Sequence, residues 1–353
     1  MRTCFWAMTV GALLALPMLS AAAEAEYEFR GGKWVRLAEP KPGTPEGELA
    51  ILRRLVDTQQ YKAAVKGVQA FLEQHPDHAG REEAMMLAGQ AQFDRGRYWL
   101  AYEWFKQQVD NFPGGVYAER ALHREYQIGD AFLEGKKRLV LGLFWVTARG
   151  EGVEMLQRIA EQAPGSDIAE RSLLRVADYY YNRGDWGEAV QAYDEYLELF
   201  GKSNSAPYAR LQAARATHGQ FKGIPYDETP LLEAQQRFGT FGQYFPRAAQ
   251  RNNVDDILGN ITDTRAAMTL DTARFYMRTN HPRAAAFYFR LVMDRYPTTP
   301  AADEARRVLG LMVDEPVSQP AQAPPATTQP SGGDMRDIFR PAATPPSSGR
   351  SEP

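Results

Sequence analysis

The stretch that decides the fold covers residues 167–201 and reads DIAERSLLRVADYYYNRGDWGEAVQAYDEYLELFG. In its first half, apolar residues recur three and four positions apart, which is the spacing of one face of an α-helix. Gly184 interrupts this pattern, and a glycine at this point is expected to cap the helix in a left-handed conformation. Asp185 and Glu188 have the spacing of an N-cap and its reciprocal partner. The stretch therefore predicts two helices joined by a tight turn.

Copies of this helical pair are predicted along most of the chain. Ala177 and Ala189 are the small residues at which the two helices are expected to cross, because close helix packing needs small side chains at the contact. A single pair of this size cannot bury both of its apolar faces, so it is expected to stack on other pairs. A large residue, a small residue, another large residue and a helix-ending residue recur in the sequence. The helix-ending residues are Pro76, Pro113, Pro164, Gly201, Pro246 and Pro297.

This recurrence is the tetratricopeptide pattern, whose repeat is ~34 residues long. Here Pro113 follows Pro76 by 37 positions and Pro164 follows Pro113 by 51, so the repeats are long and three of them contain insertions. The predicted fold is all-α, a tetratricopeptide-type α-solenoid of about five or six helical hairpins. A short N-terminal β-hairpin is predicted around Gly31-Gly32, because two glycines supply the positive φ that a tight turn needs.

The two ends of the chain differ in composition from the repeats. The first residues combine Arg2, an apolar run and three alanines at 21–23, which is the pattern of a secretory signal peptide. The last residues are rich in Pro, Ala, Thr, Gln, Ser and Gly, a composition that is expected to be disordered. The predicted domains are a signal peptide at 1–23, a short hairpin and linker at 24–45, a tetratricopeptide-repeat domain at 46–313 and a disordered Pro-rich tail at 314–353.

The most unusual local feature is the apolar octet Leu139–Val146. It follows the basic run Lys136–Arg138 and precedes Arg149, and it is too short to span a bilayer. A buried helix in an inserted repeat is the favoured interpretation. A segment that docks on a surface or binds a partner is the alternative.

Composition and motifs argue against several functions. The net charge of -3 over 353 residues gives no electrostatic support for nucleic-acid binding. Cys4 is the only cysteine and lies before the apolar core of the signal, which excludes an intramolecular disulfide and a cysteine-ligated zinc site. The sequence contains no Walker loop, nucleophile elbow or HExxH motif, and the His75–His78 segment lacks further metal ligands. We therefore predict no catalytic residue, no metal site and no cofactor.

What remains is a surface that binds other proteins. The first helix of each repeat lines the concave side of such a solenoid, and mixed aromatic, amide and charged side chains suit an extended peptide. Met86, Phe93, Leu174 and Leu270 could instead pack against neighbouring repeats. The residues predicted to bind protein or peptide are Gln90, Phe93, Arg171, Asp178, Tyr181 and Arg274.

Several stretches resemble a known family. They are YYYNRGDW at 179–186, AAFYFR at 285–290, RYP at 295–297 and TPAADEA at 299–305. From about Glu46 to Gly310 the chain resembles the BamD-like (ComL or YfiO) outer-membrane assembly proteins of Gram-negative bacteria. The resemblance implies a periplasmic tetratricopeptide scaffold that helps a β-barrel assembly machine receive precursors.

The predicted function is accordingly a non-enzymatic periplasmic scaffold that assists outer-membrane β-barrel assembly by binding peptides and partner proteins, including β-barrel assembly components. The alternative is a soluble periplasmic adaptor that recruits envelope or cell-wall proteins through its repeats or its tail. The predicted location is the periplasm, with a peripheral position at the outer membrane as a further option. Membrane association is expected to be indirect or through an uncleaved signal.

Overall fold

The structure is a computed structural model that describes residues 27–30, 33–36, 41, 43–140 and 143–314, with side chains described for 41, 43–140 and 143–310. The predicted signal peptide and the predicted disordered tail after Asp314 lie outside the described residues. The described part consists of helices and two small antiparallel sheets. The helices are α1 (Pro45–Asp57), α2 (Tyr61–Gln74), α3 (Arg81–Asp94), α4 (Tyr98–Asn111), α5 (Ala118–Leu133), α6 (Arg149–Gln162), α7 (Asp167–Arg183), α8 (Trp186–Phe200), α9 (Ala206–Gly219), α10 (Thr229–Tyr244), α11 (Pro246–Arg251), α12 (Val254–Arg278), α13 (Pro282–Arg295) and α14 (Pro300–Asp314).

The helices form stacked hairpins, which confirms the predicted tetratricopeptide-type α-solenoid. The pairs are α1/α2, α3/α4, α5/α6, α7/α8, α9/α10 and α12/α13, and each pair contacts the next. The short α11 links the last two pairs. Helix α14 packs against α12 and α13, so it covers the end of the stack as terminal helices of solenoids do.

The second helix of each hairpin carries a small residue and, four positions later, a larger one on the same buried face. In α8, Ala189 and Tyr193 are both 0% exposed, and Ala177 of the first helix is also 0% exposed. In α4, Ala101 and Phe105 are likewise fully buried. The same small–large pair recurs at Ala64 and Val68, at Gly152 and Leu156, at Ala234 and Phe238, and at Ala285 and Phe289.

The predicted helix ends are confirmed. Where a proline terminates a repeat, the residue before it leaves the helical conformation, with φ between -125 and -135° and ψ between 52 and 64°. The ring of a following proline disfavours the helical region for that residue, so the helix stops at a fixed point. The residues with this geometry are His75, Phe112, Ala163, Phe245 and Tyr296.

The turn in the central hairpin is confirmed in one respect and wrong in another. Gly184 has φ 76° and caps α7 in the left-handed region, as predicted. The Asp185 side chain does not cap α8. Its Oδ2 instead accepts a hydrogen bond from Nε of Arg183 at 2.6 Å, so an ion pair across the turn replaces the predicted reciprocal cap.

The N-terminal hairpin is confirmed by its backbone pairing. Strands β1 (Tyr27–Arg30) and β2 (Lys33–Arg36) are antiparallel, with Tyr27 opposite Arg36. The predicted linker stays a prediction, because residues 37–40 and 42 lie outside the described residues.

The favoured interpretation of the apolar octet is wrong. Residues of the octet form a second hairpin, β3 (Lys137–Val140) and β4 (Phe144–Thr147), inserted between α5 and α6. Leu143, Phe144 and Trp145 are exposed to 75, 62 and 64%. A short apolar run does not distinguish a buried helix from a strand by its period, and the β-branched and aromatic side chains here favour a strand.

Close packing between the two helices of the second hairpin predicts a large difference between two glycine substitutions. A Cβ added at Gly89 would lie within 2.8 Å of three ring carbons of Phe105, whereas a Cβ added at Gly239 in α10 meets nothing within 4 Å. Gly89→Ala should therefore lower the free energy of unfolding by about 1–3 kcal/mol through overpacking. Gly239→Ala, the matched control, should raise it by about 0.5–1 kcal/mol. Urea unfolding followed by circular dichroism measures both, and equal stability of the two variants would contradict the packing argument.

Candidate protein-binding site

The first helices of successive hairpins are fastened to each other by polar contacts. The Tyr208 hydroxyl of α9 donates to Oδ1 of Asp178 in α7 at 2.9 Å. Arg175 of α7 donates through Nε to Oδ1 of Asp130 in α5 at 2.5 Å. Direct contacts between α1 and α3, α5 and α7, α7 and α9, and α12 and α14 continue this arrangement. We call the surface formed by α1, α3, α5, α7, α9 and α12 the first-helix row.

Two of the predicted site residues lie in α3. Phe93 is half-buried and packs on Tyr98, with their ring centroids 5.2 Å apart. The guanidinium of Arg124 in α5 lies 4.7 Å from the centre of the Phe93 ring. Gln90 donates to Oδ1 of Asp94 at 2.7 Å within its own helix. Phe93 therefore joins two neighbouring first helices, while Gln90 keeps its amide at the surface of one.

Arg171 occupies the corresponding position between α5 and α7. Its guanidinium lies 4.8 Å from the centre of the Tyr126 ring of α5, a distance at which a cation is attracted to an aromatic face. The residue remains exposed. It can thus present positive charge to a ligand without leaving its aromatic partner.

Asp178 lies at the centre of a tyrosine cluster. Its Oδ1 accepts hydrogen bonds from Tyr193 at 2.6 Å and from Tyr208 at 2.9 Å. Burial and the bonded carboxylate raise the pKa of Tyr193 far above its usual value, so this hydroxyl stays protonated and donates. Tyr181 packs edge-on against Trp186, with the ring centroids 5.3 Å apart. Asp178 therefore fixes the positions of Tyr193 on α8 and Tyr208 on α9.

Arg274 lies near the carboxyl end of the row. Its Nε donates to Oε1 of Glu304 in α14 at 3.0 Å. Next to it, Phe275 and Met277 are 50 and 40% exposed. The six predicted residues thus lie on three first helices, α3, α7 and α12, as one extended row rather than as one cluster.

The sequence left open whether four residues line the binding surface or pack against neighbouring repeats. These residues are Met86, Phe93, Leu174 and Leu270. Met86 and Leu270 are each 4% exposed and belong to the core, so they pack against other helices. Leu174 and Phe93 are half-buried and contribute to both packing and surface.

Sequence reasoning missed the ion pairs and hydrogen bonds that align the row. Arg53 with Glu83, Asp178 with Tyr208, and Arg274 with Glu304 join side chains that are 30 residues apart. A search for complementary polar residues at this offset on successive first helices would have found them.

A second feature missed in the sequence is a buried polar cluster under the third hairpin. Glu125 is 0% exposed, and its Oε2 accepts a hydrogen bond from Arg158 at 2.8 Å. Arg158 also pairs with Asp110 of α4. Oε1 of Glu125 and the side-chain amide of Gln108 have no partner among the described residues. Burial raises the pKa of Glu125 to about 7, against the opposing effect of the Arg158 charge.

Stability should therefore depend on pH through Glu125. The Glu125 carboxyl keeps its proton to a higher pH in the folded state than in the unfolded chain, where the glutamate pKa is 4.5. The free energy of unfolding should therefore fall as the pH rises from about 4.5 to about 7. Glu125→Gln should reduce that fall by on the order of 2 kcal/mol. Glu119→Gln, at an exposed position of the same helix, should leave the pH profile unchanged. Denaturant unfolding at several pH values tests this, and parallel profiles for wild type and Glu125→Gln would refute it.

Two further observations concern the part of the chain that the structure describes. No group of three or more His, Cys, Asp or Glu side chains in it could hold a metal ion. None of its helices has the length and apolar character needed to cross a membrane.

Comparison with known proteins identifies the segment that carries the resemblance. Residues 148–314 match the family YfiO, described as outer membrane lipoprotein. The chain carries a BamD-like segment. This confirms the predicted resemblance over a shorter range than Glu46–Gly310. The BamD-like segment begins just before α6 and ends with α14, so it contains the central hairpin and Arg171, Asp178, Tyr181 and Arg274.

Two proteins similar to this chain are outer membrane protein assembly factors BamD. That of Caulobacter vibrioides is 23% identical over 193 residues, covering 55% of this chain and 60% of the relative. That of Rickettsia prowazekii is 22% identical over 155 residues, covering 44% of this chain and 62% of the relative. The matched regions thus span less than two thirds of either relative.

Among solved structures, the carboxyl-terminal part of a TPR repeat-containing protein from Cytophaga hutchinsonii is similar. It is 16% identical with a TM-score of 0.33, covering 75% of this chain and 88% of that one.

Proposed function

We propose that the protein is a non-enzymatic periplasmic scaffold that assists the assembly of outer-membrane β-barrel proteins. Two proteins similar to this chain carry the name of an outer membrane protein assembly factor. The observation that carries the proposal is the first-helix row, which presents exposed and half-buried polar and aromatic side chains on hairpin after hairpin. Such a row suits an extended peptide, because polar and aromatic side chains recur from one hairpin to the next.

The ligand we propose is an extended, unfolded segment of a β-barrel precursor. Arg171 and Arg274 supply exposed positive charge, and Phe275 and Met277 supply apolar contact. Phe93 and Tyr181 are held by neighbouring rings, so little of their side-chain freedom is lost on binding. The location we propose is the periplasm, with contact to the outer membrane through protein partners.

Binding should depend on the exposed arginines of the row. Full-length protein should bind a fluorescent unfolded segment of an outer-membrane β-barrel protein in an anisotropy titration. Arg171→Ala combined with Arg274→Ala should weaken binding by about tenfold or more, because hot-spot arginines carry a large share of binding energy. Phe287→Ala is the control, since Phe287 is 61% exposed on α13, a second helix. Its affinity should equal that of wild type.

Two outcomes would count against the proposal. One is no binding by the wild-type protein; the other is the same affinity for the arginine variant and the control while circular dichroism shows both folded.

A variant that ends at Asp314 distinguishes the scaffold from the adaptor alternative. If the repeats carry the function, purification with this variant should still recover barrel-assembly components; loss of all partners would favour an adaptor that acts through its tail.

A further inference from the structure

The hairpin of β3 and β4 exposes apolar side chains on both of its faces. Trp145 lies opposite Leu139 on one face, and Phe144 lies opposite Val140 on the other. Leu143, at the turn, is 75% exposed, and the next residues along β4 are exposed as well. Opposite partners share a face and successive residues alternate, so a flat protein surface could cover only one of the two apolar faces.

The base of the hairpin is held firmly to the body of the protein. The Arg138 guanidinium lies 4.4 Å from the centre of the Trp99 ring of α4. Arg138 also forms an ion pair with Glu151 of α6 at 2.9 Å. Trp145 and Leu139 border a cleft of about 340 Å³ that Trp99 and Tyr98 also line. Arg138 therefore ties the base of the hairpin to α4 and α6, while Leu143, Phe144 and Trp145 remain exposed.

Positive charge surrounds this base. Lys136, Lys137 and Arg149 are exposed, and none of them forms an ion pair within the described part of the chain. Arg95 and Arg97 lie beside the same cleft. Acidic groups near the base include Glu134, which is exposed, Glu151, which pairs with Arg138, and Glu103, which accepts a hydrogen bond from Trp99 at 2.8 Å. The basic groups named above outnumber these three.

We propose that this hairpin docks into the interface of a bilayer that contains anionic lipids. Aromatic side chains with a polar edge partition to the boundary between lipid headgroups and acyl chains. Lipid would contact both apolar faces of a hairpin inserted at that boundary. Basic side chains at the base then meet anionic headgroups. The proposal departs from the expectation of indirect membrane association, and it is independent of the first-helix row.

Vesicle binding by the full-length protein tests the proposal. Wild type should co-sediment with vesicles of phosphatidylglycerol and phosphatidylethanolamine, and bind at least tenfold more weakly to phosphatidylcholine vesicles. Phe144→Ser combined with Trp145→Ser should lose at least tenfold in binding, and so should Lys136→Glu combined with Lys137→Glu. Phe287→Ser, which changes an equally exposed aromatic on α13, should bind like wild type.

Trp145→Phe provides a second readout. It keeps the apolar tip, so it should retain binding, but it should lose part of the blue shift in tryptophan emission that vesicles induce in wild type. Absence of binding by wild type would overturn the proposal. Equal binding by wild type and the Phe144→Ser/Trp145→Ser variant would also overturn it, since binding through the apolar N-terminal residues would survive in that variant.

Discussion

The fold depends on one packing constraint, the close crossing of two helices at a small residue opposite a large one. Gly89 of α3 lies opposite Phe105 of α4 in the second hairpin, and Gly129 of α5 lies opposite Leu156 of α6 in the third. A lone hairpin leaves its other apolar face in water, so burial is completed only by the next hairpin. The stack therefore follows from the local rule, and insertions between helices are tolerated as long as the crossing is kept. The β3–β4 hairpin is such an insertion, since α5 and α6 still pack together.

The same side chains that align the hairpins also form the candidate binding surface. Asp178 bonds to tyrosines of two helices, and Arg171 stacks on a tyrosine of the preceding hairpin. An ion pair at a surface contributes little stability, but several polar contacts between helices together fix the relative position of the helices. A ligand that binds along the row would thus meet a preformed surface.

Much of the fold could be predicted because its determinants are local. The prolines at 76, 113, 164, 246 and 297 stop helices through the residue before them, and Gly184 turns the chain through its own backbone. Contacts between hairpins were harder to predict, because they join residues that are far apart in the sequence. From the sequence alone Asp178 resembles any exposed aspartate, and only the fold brings Tyr208, 30 positions away, next to it. The apolar octet was misassigned because its composition suggested burial, while the chain places it in an inserted hairpin outside the repeat frame. Glu125 gave no local signal, because only folding brings Arg158 to it.

Helix α12 has a property that the other first helices lack. At 25 residues it is about 37 Å long. Its early residues, such as Val254 and Ile261, belong to the core of the fifth hairpin, whereas Leu270 and Ala273 belong to the core of the sixth. No turn separates the two cores along this helix. If the core of the fifth hairpin rotates, the continuous helix α12 passes that rotation to the core of the sixth. The last two hairpins are therefore expected to move together as one unit.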